Sequence, residues 1–209
     1  MNTGVFGLAR MERIRAFISA FPYAPTSVIR RAHFNFPSGE RKARQVLQRM
    51  TENKMLQRFK HGHEYIYYTG EKSTQWLHTH GVTMFHFGLL YSLRPPQEIL
   101  YHRREHEYPG GRADALYILK LRDDGSGIKF FLEWDDGRNY WGKWEQYESY
   151  ARSRTWMVKE FWADPLKSGR PSFPAILVVT ERELEKPKSE LLRVRACRPG
   201  DDYLGVLLR

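Results

Sequence analysis

Three carboxylates stand at the ends of two β-prone runs: Asp114 just after Gly110-Gly111, and Glu133 and Asp135 at the close of Phe130-Phe131-Leu132-Glu133-Trp134-Asp135. Residues two apart on a strand project from one face, so Glu133 and Asp135 share a face while Ile128, Phe130, Leu132 and Trp134 take the other. Carboxylates converging at strand ends suit Mg²⁺ or Mn²⁺, which takes one or two protein carboxylates and fills its remaining positions with water and phosphate oxygens. Asp114 joins the other two only if its cross-strand partner is odd-numbered, 133 or 135, because a one-residue slip turns a side chain to the opposite face. These three residues form the expected metal site, and the loop between the strands leaves their register open.

A second set of residues has a different chemistry. Arg41, Lys42, Arg44, Gln45, Gln48 and Arg49 fall on the face opposite an apolar stripe of Ala43, Val46, Leu47 and Met50. Cationic and amide side chains on one helix face suit phosphates and base edges. The bland alternative is a solvated helix surface, and the scarcity of acidic partners at i, i+4 argues against it. Other signals are weaker. His102-Arg103-Arg104-Glu105-His106 matches the H-x-x-E-H zinc-peptidase pattern, which requires a helix; prolines and glycines closely bracket the segment, so it reads as a polar strand or loop where Glu105 or Glu107 could add a ligand. His78, His80 and His86 are badly spaced for one helix face and read as core or boundary residues. Tyr140, Trp144, Tyr147 and Ala151 form a stripe that is core in the ordinary case and a base-stacking surface in the other, with Lys143 and Arg152 beside it. Cys197 has no nucleophile-like partner, and no phosphate-binding glycine loop is present.

The elements that must position these residues follow from hydrophobic period. Ile14, Phe17, Ile18 and Phe21 predict a helix from about Ala9 to Phe21, ended by Pro22. A second helix follows Pro25, and a third begins after Ser38, a candidate N-cap with Glu40 in the first turn. Met55–Lys60 and His63–Tyr68 then read as strands joined at His61-Gly62, which puts Arg58 and Lys60 on the hairpin. Three helices and a hairpin have the layout of a winged helix-turn-helix, with helix three entering the DNA groove and the hairpin as wing. Beyond it, Gln75–Leu93 reads as a helix packed on a sheet, Glu98–Tyr108, Ala113–Leu121, Ile128–Asp135 and Ala175–Thr180 as strands, Asn139–Arg154 and Glu181–Arg193 as helices, and Tyr203–Leu208 as a last strand. This is an α/β sandwich.

Of 34 basic and 24 acidic residues in the 209, residues 1–70 hold 12 and 4, leaving 22 and 20 for the rest. The basic surplus is therefore +8 in the first third and +2 beyond it, and all six tryptophans lie after residue 75. Two domains follow, 1–70 and 75–209, with the polar seam Thr69–Thr74 between them. A hydrophobic share of 41% supports a folded core. No apolar run is long enough to span a bilayer, the start lacks the layout of a secretory signal, and one cysteine leaves no disulfide and no cysteine-rich zinc site, so a cytoplasmic protein without membrane contact is expected.

Arg112-Ala113-Asp114-Ala115-Leu116, together with Phe131–Gly137, resembles the PD-(D/E)xK nuclease superfamily, with Ala113 at the Pro position, Asp114 and Glu133 at the acidic positions, and Asp135 where the Lys belongs. With the following aromatic helix and the N-terminal winged helix, the chain is similar over most of its length to the replication-relaxation family of plasmid and mobile-element proteins. The resemblance implies a restriction-endonuclease-like αβββαβ domain and a role in DNA replication, relaxation or nicking, or transfer. In an active nuclease of this kind the acids bind Mg²⁺ and the Lys helps position the attacking hydroxide. Asp135 cannot supply that charge; the resemblance allows a second-metal ligand there, or a lysine on the following helix, where Lys143 and Arg138 stand. Asp114, Glu133, Asp135 and Lys143 are thus the expected catalytic set. Double-stranded DNA is the expected partner, with other replication or conjugation proteins and a homodimer both compatible. The competing expectation is a non-enzymatic DNA-binding regulator or assembly factor with a degenerate nuclease fold.

Overall fold

The computed structural model describes residues 3–138, 142–158 and 172–209. It is a mixed α and β structure with two sheets, and the chain divides into two compact units, Met1–Met84 and Phe85–Arg209. No helix among the described residues is long and apolar enough to cross a membrane.

The first unit opens with α1 (Thr3–Ala20), whose Ile14 and Ile18, one turn apart, are fully buried. Pro25 closes the two-residue strand β1 (Ala24–Pro25) and precedes α2 (Thr26–His33), which buries Val28 and Ile29. Glu64 caps α2: the Ser27 N–H and hydroxyl donate to its two carboxylate oxygens at 3.1 and 2.9 Å, negative charge placed at a helix N-terminus. In α3 (Gly39–Glu52), Ala43, Leu47 and Met50 are buried and Val46 half-buried, the stripe that spacing predicted. Ser38 holds the N-cap position but makes no side-chain capping bond.

Strands β2 (Gln57–His61) and β3 (Glu64–Tyr68) pair in antiparallel register, and β1 adds to β3, giving the order β1-β3-β2. The two-residue loop is Gly62-His63, one residue later than expected; Gly62 adopts φ +58°, a conformation that costs glycine nothing. β1 has no sequence period to detect at two residues. The expected seam at 69–74 lies inside this unit: Ser73 N–H donates to the Tyr23 hydroxyl at 2.7 Å, His80 bonds the Tyr23 carbonyl and the Thr83 hydroxyl donates to the Pro22 carbonyl. The basic surplus does not depend on that choice, since residues 1–84 hold 13 basic and 5 acidic residues, still +8.

The division between the units falls within α4 (Trp76–Ser92). In the second unit, strands β4 (Glu98–Tyr108), β5 (Gly111–Lys120), β6 (Gly127–Trp134), β7 (Ala175–Val179) and β8 (Val194–Cys197) form one sheet in sequence order. β4, β5 and β6 are antiparallel neighbours; β6, β7 and β8 run parallel. Phe85 of α4 packs on Tyr117, Phe130 and Tyr203 on one side of the sheet. On the other side, Tyr147, Tyr150 and Ala151 of α5 (Trp144–Ser153) pack with Leu116, Phe131, Ile176 and Val178. Helices thus cover both faces, and β7 is buried along its whole length, as its unbroken apolar run implied.

Two expected elements are corrected. Residues 181–193 are not helical. Pro187 falls in the middle, where it removes a donor and biases Lys186 to extended backbone, and the segment serves as the crossover that parallel β7 and β8 require. Residues 203–208 are a helix, α6 (Tyr203–Leu208), not a strand. The Asp202 carboxylate caps it, accepting the Gly205 N–H at 3.0 Å; a Cβ at position 205 would lie 2.2 Å from that carboxylate, so the cap needs glycine there. The sheet therefore ends on β8, a four-residue strand that the polar Arg195 hid from an apolar-run reading.

Candidate functional site

Two arrangements carry the sequence-predicted residues, one in each unit. On α3, Arg41, Lys42, Arg44, Gln45, Gln48 and Arg49 are all exposed. The expected scarcity of acidic partners at i, i+4 needs correction: Arg44 meets Glu40 at 2.6 Å and the Gln48 amide donates to Glu52 at 2.9 Å, both one turn apart. Arg44 and Glu40 are 73% and 64% exposed, and such an ion pair contributes only about 0–1 kcal/mol, so it neither holds the helix together nor blocks a stronger anion. Arg41, Lys42 and Arg49 make no ion pair among the described residues.

A groove of about 590 Å³ lies between α3, α2 and the hairpin, lined among others by Arg30, Arg44, Gln48, Arg58 and Tyr65. The Arg58 guanidinium sits 4.4 Å over the Tyr65 ring, which restrains it without neutralising it. Lys60 is exposed two residues further along the same strand. Arg30 was missed by sequence reasoning, although its place one residue beyond the buried pair Val28-Ile29 marks it as outward-facing.

In the second unit the register meets the parity condition. Ala115 pairs with Leu132, so Asp114 stands level with Glu133. The Asp114 carboxylate accepts the Trp134 N–H at 2.7 Å and so ends the β5–β6 ladder with a side chain. Glu133 is 1% exposed. Its Oε2 accepts from Lys143 Nζ at 2.6 Å and its Oε1 from the Tyr147 hydroxyl at 2.5 Å, while Lys143 Nζ also donates to the Arg112 carbonyl at 3.0 Å. Burial, and then the neighbouring Asp114 charge, push the Glu133 carboxyl up to about 7 against the pull of Lys143 and Tyr147. The Tyr147 hydroxyl is driven well above its ordinary range by burial and by Glu133.

Asp135 belongs to another neighbourhood. Its carboxylate accepts the Thr180 hydroxyl at 2.7 Å and the Gly137 N–H at 2.9 Å, and its own N–H donates to the Val179 carbonyl, which ties the end of β6 to β7. The structure therefore brings together Asp114, Glu133 and Lys143, and not the three carboxylates. Among the described residues no group of three or more His, Cys, Asp and Glu is gathered as a metal ion requires. With both oxygens of Glu133 and both of Asp135 engaged by protein donors, these residues as placed do not fit a three-carboxylate Mg²⁺ or Mn²⁺ site. Tyr147, the second partner of Glu133, was legible only as a member of an aromatic stripe; Tyr140 of that stripe lies outside the described residues.

The H-x-x-E-H residues lie on strand β4, not on a helix. Glu105 takes φ +48°, and the two histidines meet different layers, His102 beside Tyr117 and His86, His106 beside Phe131. Burial lowers His86 to about 3 and His102 to about 4, with His102 and Arg104 adding repulsion at His86 and Arg104 at His102, so both rings are neutral at ordinary pH. Cys197 is buried, and its thiol is pushed up to about 12 by that burial and by Asp201, which makes it a poor nucleophile.

Comparison with family models, with curated proteins and with solved structures finds no match for this chain.

Proposed function

We propose that the protein binds duplex DNA through a winged helix-turn-helix in its first unit, in the replication, relaxation or transfer of a plasmid or other mobile element. The second unit is a nuclease-like sandwich that serves this role without hydrolysing DNA, as a regulatory or assembly surface. The observation that carries the reading is the α3 face: six cationic and amide side chains, all exposed, beside a groove to which Arg30 and Arg58 add charge. The order helix, strand, helix, helix, strand, strand, with the first strand paired to the third, supports the winged-helix assignment. The mobile-element setting rests on the sequence resemblance. Phosphate neutralisation releases counterions, so duplex affinity is expected to fall about tenfold or more between about 50 and about 200 mM salt. Fluorescence anisotropy on labelled duplex measures it; binding that ignores salt sinks the assignment.

The non-hydrolytic half is supported by the engagement of Glu133 and Asp135 by protein donors. Supercoiled plasmid incubated with Mg²⁺ or Mn²⁺ is expected to stay intact. Nicking that disappears in Glu133→Ala would replace this half with a metal-dependent nickase built on Asp114, Glu133 and Lys143.

A further inference from the structure

A carboxylate buried to 1% exposure needs a counter-charge, which a divalent ion or a cationic side chain can supply. Here it comes from the chain. Lys143 stands at the N-cap position of α5, and its ammonium lies 2.6 Å from Glu133 Oε2 and 3.0 Å from the Arg112 carbonyl oxygen. A carboxylate oxygen and a backbone carbonyl are the ligand types that a hard cation takes. The side chain of Lys143 is one-third exposed, whereas that of Glu133 is 1% exposed, so the lysine is the more solvent-accessible member of the pair. The Tyr147 hydroxyl takes the other Glu133 oxygen from the buried side. Asp135, the third acid that a metal site would recruit, has both oxygens committed to Thr180 and Gly137.

We propose that Lys143 is a tethered cation: its ammonium takes the place of a divalent ion between Glu133 and the Arg112 carbonyl, so the cluster is complete without Mg²⁺ or Mn²⁺. A second positive charge within bonding distance of the same oxygens meets repulsion and finds its ligands occupied. Removing the ammonium leaves Glu133 Oε2 and the Arg112 carbonyl without the cation between them, beside the Asp114 charge. Lys143→Ala is therefore a gain-of-binding variant. A lysine that only adds an ion pair to α5 would lose stability on substitution and gain nothing.

The test uses the full chain, Lys143→Ala and Lys143→Gln, with calorimetric titration and thermal unfolding in MnCl₂ and MgCl₂. The wild type is expected to give no Mn²⁺ binding heat and an unmoved Tm. Both variants are expected to bind Mn²⁺ saturably, with a Tm that rises with the logarithm of its concentration, and to lose this in combination with Glu133→Gln. Folding of Lys143→Ala only when Mn²⁺ is present also supports the proposal. Should that variant not fold under any condition, Lys143→Gln, which keeps a donor for the Arg112 carbonyl, decides the matter. Mn²⁺ binding by the wild type that depends on Glu133, or folded variants that take up no ion, overturns it. The inference takes from the proposed function only the absence of hydrolysis; duplex affinity of the same proteins reports the first unit separately.

Discussion

Charge is used in opposite ways in the two units. The first carries a surplus of +8 and leaves it on the surface: among the described residues Arg41, Lys42 and Arg49 make no ion pair, and Arg44 makes an exposed one. The second is nearly balanced, with 21 basic and 19 acidic residues in 85–209, and takes its most informative charge inside, where Glu133 is closed off by Lys143 and Tyr147. An exposed, uncompensated charge stabilises nothing in the folded chain and is available to a ligand. A buried, compensated one is part of the fold first, and has chemistry to offer only if its partner can be displaced.

The contrast can be broken most severely on α3. The triple variant Arg41→Ala, Lys42→Ala, Arg49→Ala is expected to lower duplex affinity by about 10²–10³-fold at low salt and to reduce the salt slope by about 3, with Tm nearly unchanged. A triple variant that binds as the wild type does would return this face to solvent. Next in size, Glu133→Ala is expected to destabilise the protein by roughly 2–4 kcal/mol in denaturant unfolding, because it takes the carboxylate acceptor from the buried Tyr147 hydroxyl and the counter-charge from the Lys143 ammonium, while duplex affinity changes little.

A titration sharpens the comparison further. Glu133 holds its proton to about pH 7 in the fold, above the unfolded value of 4.5, so its contribution is fully present below about pH 4.5 and is lost as pH rises through about 7. Relative to Glu133→Gln, the wild type should therefore lose roughly 3 kcal/mol across that window, read as a difference in Tm or unfolding midpoint. His86 and His102 act with the opposite sign. Neutral in the fold and charged in the unfolded chain below about 6.5, they remove stability as pH falls from there towards about 3, and His86→Gln with His102→Gln should flatten that acid limb. The smallest effect belongs to Glu40. Glu40→Gln frees Arg44 and is expected to tighten duplex binding about two- to threefold at low salt; no gain would mean that Arg44 contacts no phosphate.

Helices α1, α2 and α3, the hairpin, and strands β5 to β7 were legible because each carries a hydrophobic period or an apolar run of its own, whereas β4 is mixed in period and was marked mainly by the Pro109-Gly110-Gly111 turn that ends it. β1 and β8 were not, being two and four residues long and defined by their partners in the sheet. The segment 181–193 misled because its composition favours a helix while Pro187 and the span between parallel strands do not. Residues 203–208 misled because Tyr-Leu-Gly-Val-Leu-Leu is apolar throughout; the Asp202 cap was the signal that pointed to a helix. At the site, the residue types were readable, and so was the condition that Asp114 needs an odd-numbered partner; the register that meets it came from the pairing of Ala115 with Leu132. That Asp135 would turn to Thr180, 45 residues on, and Tyr147 to Glu133 was not readable, since each contact depends on how one element docks against another.

The amino-acid order alone determined which faces are apolar, where the positive surplus lies and which acids fall at strand ends, because these depend on local period and on counting. Which acid meets which donor depended on the docking of α5 against β6 and of β7 beside it. A hydrogen bond is made or lost within a fraction of an ångström, and that distance is set by how whole elements pack. Only the tertiary structure could therefore decide that Glu133 is answered by a lysine and a tyrosine, and that Asp135 is spent on joining two strands.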